Sequence, residues 1–90
     1  MPDWSQPDFE WDEGNIQHII DRHDVYPDEV EQVFYSGAYV IRAGDSYRVL
    51  GQDDAGRYLV IICKTRGSVV RVITARNITA RERRFYERNR

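Results

Sequence analysis

The last third of the chain carries arginines at positions where they can act together on an anion. Arg71 interrupts the β-branched residues 69–75, which predict a strand because branched side chains suit a pleated surface. Arg76 follows where that strand ends, and the next helix adds Arg81, Arg83, Arg84 and Arg88. A guanidinium group binds phosphate oxygens through two parallel hydrogen bonds and stays charged. The pattern predicts a phosphate-binding face; the alternative is a core strand followed by a solvent-exposed basic helix.

A histidine in the first third of the chain is a candidate for proton transfer. Ile16, Ile19, Ile20 and His23 are spaced i, i+3, i+4 and i+7, so they share one face of a helix. His23 therefore ends a buried stripe, either as a satisfied residue at the rim of the core or as a titratable group beside a site. His18 is predicted to face differently on the helix, so the two histidines indicate no metal site.

Capping residues and periodicity indicate the elements that must position these side chains. Thr79 and Glu82 have the spacing of a capping box, which starts the last helix near Ala80. Pro27 suits the first turn of a helix, and Gly37 suits a left-handed cap at its end. The predicted elements are a strand at 9–12, helices at 14–22 and 28–36, strands at 38–43, 47–52, 57–65 and 69–76, and a helix from about residue 80.

The connections between the four later strands are short, which predicts an antiparallel meander. Residues 57–65 hold the longest apolar run and are the predicted central strand. The predicted fold is α+β: a two-layer, twisted, mostly antiparallel sheet of four to five strands, with two N-terminal helices on one face and a C-terminal helix. Residues 1–8 contain two prolines and predict a loose arm, and residues 9–90 predict a single domain.

The composition is ordinary for a globular domain, with 41% hydrophobic and 31% charged residues. No run of about 18 apolar residues is present, and the start lacks the layout of a signal peptide, so we expect a cytoplasmic protein without a membrane span. Cys63 is the one cysteine. It cannot form an internal disulfide and, within an apolar run, is predicted to be a small buried hydrophobe.

The net charge of −2 conceals an asymmetry between the two halves of the chain. Residues 1–45 hold eleven acids and two arginines, a net charge of −9, whereas residues 46–90 hold eleven bases and four acids, a net charge of +7. A mildly acidic total argues against a non-specific nucleic-acid binder. A local basic cleft remains compatible with it, because the potential of a cleft depends on its lining.

Three stretches together resemble a known family over about residues 9–88. They are Phe9-Glu10-Trp11-Asp12, then His23 after the first helix, and finally Arg71-Val-Ile-Thr-Ala-Arg76 followed by Glu82-Arg83 and Tyr86-Glu87. This pattern is similar to BrnT, the toxin of BrnT–BrnA type II toxin–antitoxin modules. The resemblance implies a RelE-like ribonuclease fold, a bacterial RNA-cleaving toxin, and a cognate BrnA-like ribbon-helix-helix antitoxin that is encoded beside it and forms a hetero-oligomer with it.

The chain departs from the family pattern around the first helix. Many relatives have lysine where Asn15 stands, asparagine where Ile19 stands, and Lys-His-Gly-Val where this chain has Arg22-His23-Asp24-Val25. Serine is usual where Thr74 stands. The change at position 15 removes a cation that can touch RNA, and Asp24 adds an anion beside His23. These changes bear on activity and leave the predicted fold unaltered.

RNA cleavage without a metal uses the adjacent 2′-hydroxyl as the nucleophile. The protein must remove its proton, stabilise the charge on the phosphate and protonate the 5′-oxygen. We assign catalytic roles to His23, Arg71, Arg76 and Tyr86, and RNA-binding roles to Lys64, Arg83 and Glu82. Glu82 can instead be a helix cap, and Tyr86 can be a packing residue with its hydroxyl at the rim. No cofactor and no metal are expected.

A second class of function fits the same residues. In it the chain is a non-catalytic toxin homologue, a protein- or RNA-binding module whose basic face receives an antitoxin segment. A DNA-binding accessory is a third class, but no helix-turn-helix signature supports it. The residues alone do not choose between the first two classes.

Overall fold

The structure, a computed structural model, describes residues 4–89 and confirms the predicted order of elements. The elements are β1 (Asp8–Glu10), α1 (Glu13–His23), α2 (Pro27–Tyr35), β2 (Tyr39–Ala43), β3 (Ser46–Gln52), β4 (Tyr58–Arg66), β5 (Val69–Asn77) and α3 (Ala80–Asn89). Helix α1 is one residue longer at each end than predicted. Pro27 occupies the first turn of α2, and Gly37 after it has a positive φ of 81°.

The strands form one five-stranded sheet in the order β1-β5-β4-β3-β2. Strand β4 lies at the centre, as the apolar run at residues 57–65 predicts. Strands β2 to β5 form an antiparallel meander, whereas β1 pairs with β5 in parallel, with Phe9 opposite Val70. The mostly antiparallel α+β fold is therefore confirmed. The one parallel pair joins strands that lie far apart in the sequence, since Asp8 is opposite Val69.

The two faces of the sheet carry different helices. Val49 packs with residues of α1 and α2, whereas its neighbour Leu50 packs with Tyr86 of α3. Adjacent residues of a strand point to opposite faces, so α1 and α2 cover one face, as predicted, and α3 covers part of the other. The acidic helix α2 and the arginine-rich helix α3 thus lie on opposite sides of the sheet.

A β-bulge in β5 decides where its arginines point. Ile62 pairs with Thr74 and Cys63 with Val72, so Ile73 is an extra, unpaired residue of β5. Arg71 and Arg76 are five residues apart, a spacing that places them on opposite faces of a regular strand. The extra residue restores the alternation: Arg71 lies opposite Lys64 and Arg76 opposite Val60, and both point to the face that carries α3.

Asn15 fastens the start of α1 to the sheet. Its side-chain oxygen accepts from the Asp12 backbone N–H at 2.8 Å, and the Asn15 backbone N–H donates to an oxygen of the Asp12 carboxylate at 2.9 Å. These two hydrogen bonds form a capping box. Its amide nitrogen donates to the carbonyls of Glu10 and Val72, both at 3.0 Å. Asn15 is only 6% exposed. The side chain at position 15 is therefore a buried clamp between β1, β5 and α1.

The described part of the predicted loose arm contacts the domain. The ring of Trp4 packs edge-on against Phe34, with centroids 5.1 Å apart, and against Tyr47 at 5.6 Å. Residues 1–3 of the arm lie outside the described residues. Cys63 is fully buried, as predicted, and burial raises the pKa of its thiol to about 12. Within residues 4–89, no helix is long and apolar enough to cross a membrane.

Candidate functional site

Arg71 joins β5 to the start of the chain through two carboxylates. Its Nη1 lies 2.9 Å from Glu10 Oε1 and 2.8 Å from Asp12 Oδ2. Hydrogen bonds to these two groups raise the pKa of Arg71; the Asn15 backbone N–H and then Arg71 lower the pKa of Asp12. All three side chains are between 41% and 51% exposed. Exposed ion pairs of this kind contribute little to stability.

Lys64 shares a surface pocket with Arg71. The two residues are register partners on β4 and β5, and both line a pocket of about 220 Å³. The full lining is Glu10, Lys64, Thr65, Arg66, Val69 and Arg71. Lys64 pairs with Asp45 at 3.3 Å, and both side chains are largely exposed. The lining therefore holds three cations and one carboxylate, and Asp12 and Asp45 pair with two of these cations from outside the lining.

Arg76 and Glu82 form a closed fork. Arg76 Nη1 donates to Glu82 Oε1 and Nη2 donates to Oε2, each at 2.8 Å. Glu82 Oε1 also accepts from the Thr79 backbone N–H at 2.9 Å, and Thr79 Oγ1 accepts from the Glu82 backbone N–H at 3.2 Å. The predicted capping box is thus confirmed, and Glu82 links the end of β5 to the start of α3. The bond from Arg76 and those from Thr79 lower the pKa of Glu82 to about 2.

Replacing Glu82 by glutamine should make stability less dependent on acid pH. The folded pKa of Glu82 is below its unfolded value, so its ionised form stabilises the protein above about pH 4.5, and this stabilisation is lost as the pH falls toward 2. We expect Glu82→Gln to lose roughly 1–3 kcal/mol of unfolding free energy at pH 7, with the difference from the parent vanishing near pH 2. Urea unfolding of both proteins at several pH values measures this difference in unfolding free energy.

Glu87→Gln is the matched control for Glu82→Gln. Glu87 pairs with Arg83 at 3.3 Å on the surface of the same helix, and both side chains are 50% exposed. An exposed i,i+4 pair contributes about 0.3–0.5 kcal/mol, so the control should stay close to the parent at every pH. A Glu82→Gln protein whose stability tracks the parent from pH 7 to pH 2 contradicts the structural role of the fork.

Arg83 stacks on an aromatic ring instead of joining the other predicted groups. Its guanidinium carbon lies 4.1 Å from the centroid of the Tyr58 ring, and its Nη2 lies 3.4 Å from the Tyr58 hydroxyl. Tyr86, a predicted catalytic residue, is only 4% exposed and packs against Leu50, Val60 and the edge of Tyr58. The structure thus places the ring of Tyr86 inside the core beneath α3.

The two histidines lie against each other, which corrects the expectation that they face differently. The ring centroids of His18 and His23 are 5.6 Å apart in an edge-to-face contact. Side chains of a helix lean toward its N-terminus, so His23, at the last position of α1, leans back over the turn that holds His18. His18 Nε2 lies within hydrogen-bond distance of Thr74 Oγ1, at 3.0 Å. Among residues 4–89, no group of three or more His, Cys, Asp or Glu side chains could hold a metal ion.

His23 is half-buried, and its environment favours the neutral ring. Burial is the largest cause that lowers the pKa of His23, followed by the nearby positive groups of His18, Arg76 and Arg22. A neutral imidazole can accept a proton near neutral pH. In the described chain His23 is not joined directly to Arg71, which binds Glu10 and Asp12, but the charge of Arg76 acts on it.

Arg57, which the sequence did not single out, fixes the end of α1. Its guanidinium donates to the carbonyls of Asp24 and His23, at 2.7 and 3.1 Å, and to Asn77 Oδ1 at 2.8 Å. It also pairs with Glu29 at 3.4 Å. One side chain therefore ties α1, α2 and the end of β5 together. The one feature of the sequence that could have indicated this role is the position of Arg57, a charged residue directly before the apolar run of β4.

Comparisons with known proteins agree with this architecture. A family model described as the ribonuclease toxin BrnT of type II toxin–antitoxin systems matches residues 11–82. The 1.1 Å crystal structure of the Brucella abortus ribonuclease toxin BrnT superimposes with a TM-score of 0.68 at 24% identity, covering 82% of this chain and 99% of that one, which shows a shared fold. A search of curated proteins returned no match. Because the family match spans most of its length, the chain belongs to the BrnT family of ribonuclease toxins of type II toxin–antitoxin systems.

Proposed function

We propose that this chain is a metal-independent endoribonuclease that inhibits translation in the bacterial cytoplasm and is neutralised by a cognate BrnA-like ribbon-helix-helix antitoxin. One observation supports the proposal: within residues 71–76, β5 carries Arg71 and Arg76 on the face that holds α3 and contacts the histidine pair of α1 through Thr74. The bulge at Ile73 turns Arg71 and Arg76 to one face of the sheet, and Thr74 between them contacts His18, whose ring touches His23.

In the proposed reaction the arginines hold the scissile phosphate. Its oxygens displace Glu10 or Asp12 from Arg71, and Lys64 in the same pocket adds a second cation. Arg76 keeps Glu82 and contributes its charge and its remaining N–H groups, since two carboxylate contacts and one carbonyl contact do not use all five donors. Fixed cations of this kind stabilise the negative charge that develops on the oxygens of the five-coordinate phosphate in the transition state.

The histidine pair performs the proton transfers in this proposal. Neutral His23 accepts the proton of the 2′-hydroxyl as the O2′–phosphorus bond forms. His18, held by Thr74, donates a proton to the 5′-oxygen as the phosphorus–O5′ bond breaks. The products are a 2′,3′-cyclic phosphate and a 5′-hydroxyl, and the atoms balance without a metal-bound water. Tyr86 supports the helix that carries Arg83 and takes no part in the transfers, because its ring is buried.

A non-catalytic role is favoured by one feature. Arg71 and Arg76 both already bind carboxylates of their own chain, Glu10 and Asp12 in one case and Glu82 in the other. If phosphate cannot displace them, the basic face can still receive a protein partner. The two functions predict different results: an enzyme cleaves RNA without any partner, whereas a binding module does not cleave RNA.

Inducible expression of the chain in a bacterium tests the proposal in cells. We expect incorporation of labelled methionine to fall within minutes of induction, and to recover when the product of the adjacent antitoxin gene is co-expressed. A folded Arg71→Ala variant at the same protein level is the control and should leave incorporation near the uninduced rate. Unchanged incorporation after expression of the folded parent would contradict translation inhibition.

A further inference from the structure

A groove lies on the α3 side of the sheet, away from the histidine pair. It has a volume of about 410 Å³, and its apolar floor consists of Ile41 from β2, Leu50 from β3 and Phe85 from α3. The remaining lining residues are Arg48, Thr79, Arg81 and Glu82. Within residues 4–89, β2 is the outermost strand of the sheet and has β3 as its one neighbour, so the groove opens at a sheet edge.

The rim of the groove is positively charged. Arg48 and Arg81 are exposed, and in the described part of the chain no ion pair engages either of them. The one carboxylate in the lining, Glu82, is already bound by both Nη atoms of Arg76. An occupant therefore meets two unpaired guanidinium groups above an aliphatic and aromatic floor.

We propose that this groove receives a segment of the antitoxin that carries acidic residues and large apolar side chains. The identity of the partner as an antitoxin rests on the proposed function. The acidic residues match Arg48 and Arg81, and the apolar side chains fill the space over Ile41 and Leu50. An exposed strand edge and an adjacent groove are together a common docking surface for protein segments.

The floor favours a peptide over RNA. Proteins bind single-stranded RNA by stacking its bases on open aromatic faces or arginine planes. Two of the three floor residues, Ile41 and Leu50, are aliphatic. The third, Phe85, makes an edge-to-face contact with Tyr39, with centroids 5.6 Å apart. The chemistry of the floor thus suits burial of aliphatic side chains.

The position of the groove also explains how its occupant silences the enzyme. Glu82 lines the groove and at the same time holds Arg76. A segment that fills the groove therefore lies beside one of the two proposed phosphate-binding arginines and excludes the RNA backbone from it. Inhibition follows from occupancy of this surface, without contact with the histidine pair.

The test compares three substitutions for binding of the purified antitoxin, the product of the gene adjacent to the toxin gene. Arg48→Glu reverses a rim charge, and Ile41→Asp places a charge on the floor. Arg42→Glu is the matched control. Arg42 is exposed on β2, the strand of Ile41, but it lies opposite Tyr47 on the other face of the sheet, which packs with Trp4. RNA cleavage is measured for each protein without antitoxin, and each must unfold cooperatively.

We expect Arg48→Glu to weaken antitoxin binding at least about tenfold at low salt, with a smaller loss at high salt, and Ile41→Asp to weaken it at both. Arg42→Glu should stay within about twofold of the parent. Cleavage by Arg48→Glu without antitoxin should equal the parent rate. Because Arg48 is an exposed surface residue, this variant keeps the test decisive if Ile41→Asp does not fold.

Three results would overturn the groove assignment while leaving the ribonuclease proposal standing. The first is antitoxin binding and inhibition that are the same for Arg48→Glu, Arg42→Glu and the parent. The second is slower RNA cleavage by Arg48→Glu, which would assign the groove to RNA. The third is a parent dimer that Arg48→Glu converts to a monomer, which would assign the groove to a second copy of this chain. A parent that cleaves no RNA yet loses antitoxin binding through Arg48→Glu would instead contradict the ribonuclease proposal alone.

Discussion

Alanine in place of Arg71 or of Arg76 should slow RNA cleavage by roughly 10²–10³-fold, the scale of removing one preorganised donor from a transition state. The bulge at Ile73 gives both guanidinium groups access to the same face of the sheet. Each loss should appear mainly in kcat, because negative charge builds up on the phosphate oxygens as the bond to O2′ forms. Single-turnover cleavage of a labelled RNA measures the effect.

Lysine at either position should restore only part of the rate. Lysine keeps the positive charge but loses the planar fork, which at Arg76 spans both oxygens of Glu82. Arg42→Ala is the matched control, because Arg42 is an exposed arginine on the other face of the sheet and should leave the rate unchanged. Folded Arg71→Ala and Arg76→Ala proteins that cleave at the parent rate would end the assignment of a phosphate site to these residues.

Alanine in place of His23 should slow cleavage by roughly 10²–10⁴-fold and remove an ionisation from the pH–rate profile. As the proposed base, His23 must be unprotonated, so the parent rate should rise with pH as the ring loses its proton. Burial and the neighbouring charges lower the pKa of His23 below its ordinary value of 6.5. The rising limb of the parent should therefore lie below pH 6.5, and the variant should lack it.

Arg22→Gln separates the charge effect from loss of the base. Arg22 is exposed, and its charge is one of the groups that lower the pKa of His23. Removing a positive neighbour raises that pKa, so the rising limb should move to higher pH. An NMR titration of the His23 ring should show the same upward shift. A rate profile that keeps its limb in His23→Ala would assign the ionisation to another group.

The fold followed from local patterns that the sequence displays openly. The Thr79–Glu82 capping box, the proline at the start of α2 and the apolar run of β4 each have a local physical cause, and each lies where it was predicted. The parallel pairing of β1 with β5 was not predicted, because it joins residues about sixty positions apart. No local propensity encodes such a long-range contact.

The candidate site was harder to predict because it depends on a single extra residue. In a regular strand Arg71 and Arg76 would point apart, and no residue type in the sequence marks Ile73 as a bulge. The contact between His18 and His23 depends in a similar way on the exact end of α1, and helix ends are the least certain part of a sequence prediction. Arg57 binds carbonyls and an amide, and those partners appear only when the chain is folded.

The structure also reassigns the departures from the family pattern. Asn15 and Ile19 are buried parts of the clamp and the core, so neither presents a group to RNA in this chain. Asp24 follows α1 in the left-handed conformation, with φ of 54°, and its backbone N–H caps the helix. Glycine takes this conformation without strain, so the family glycine at this position is explained by helix capping.

Analysis of the RNA products made by the purified chain in excess chelator tests the central proposal most directly. We predict cleavage at an unchanged rate with and without chelator, with 2′,3′-cyclic phosphate and 5′-hydroxyl ends on the products and no cleavage by Arg71→Ala at the same enzyme concentration and time. Products with 5′-phosphate ends, or activity abolished by the chelator and restored by a divalent cation, would contradict the metal-independent attack of the 2′-hydroxyl.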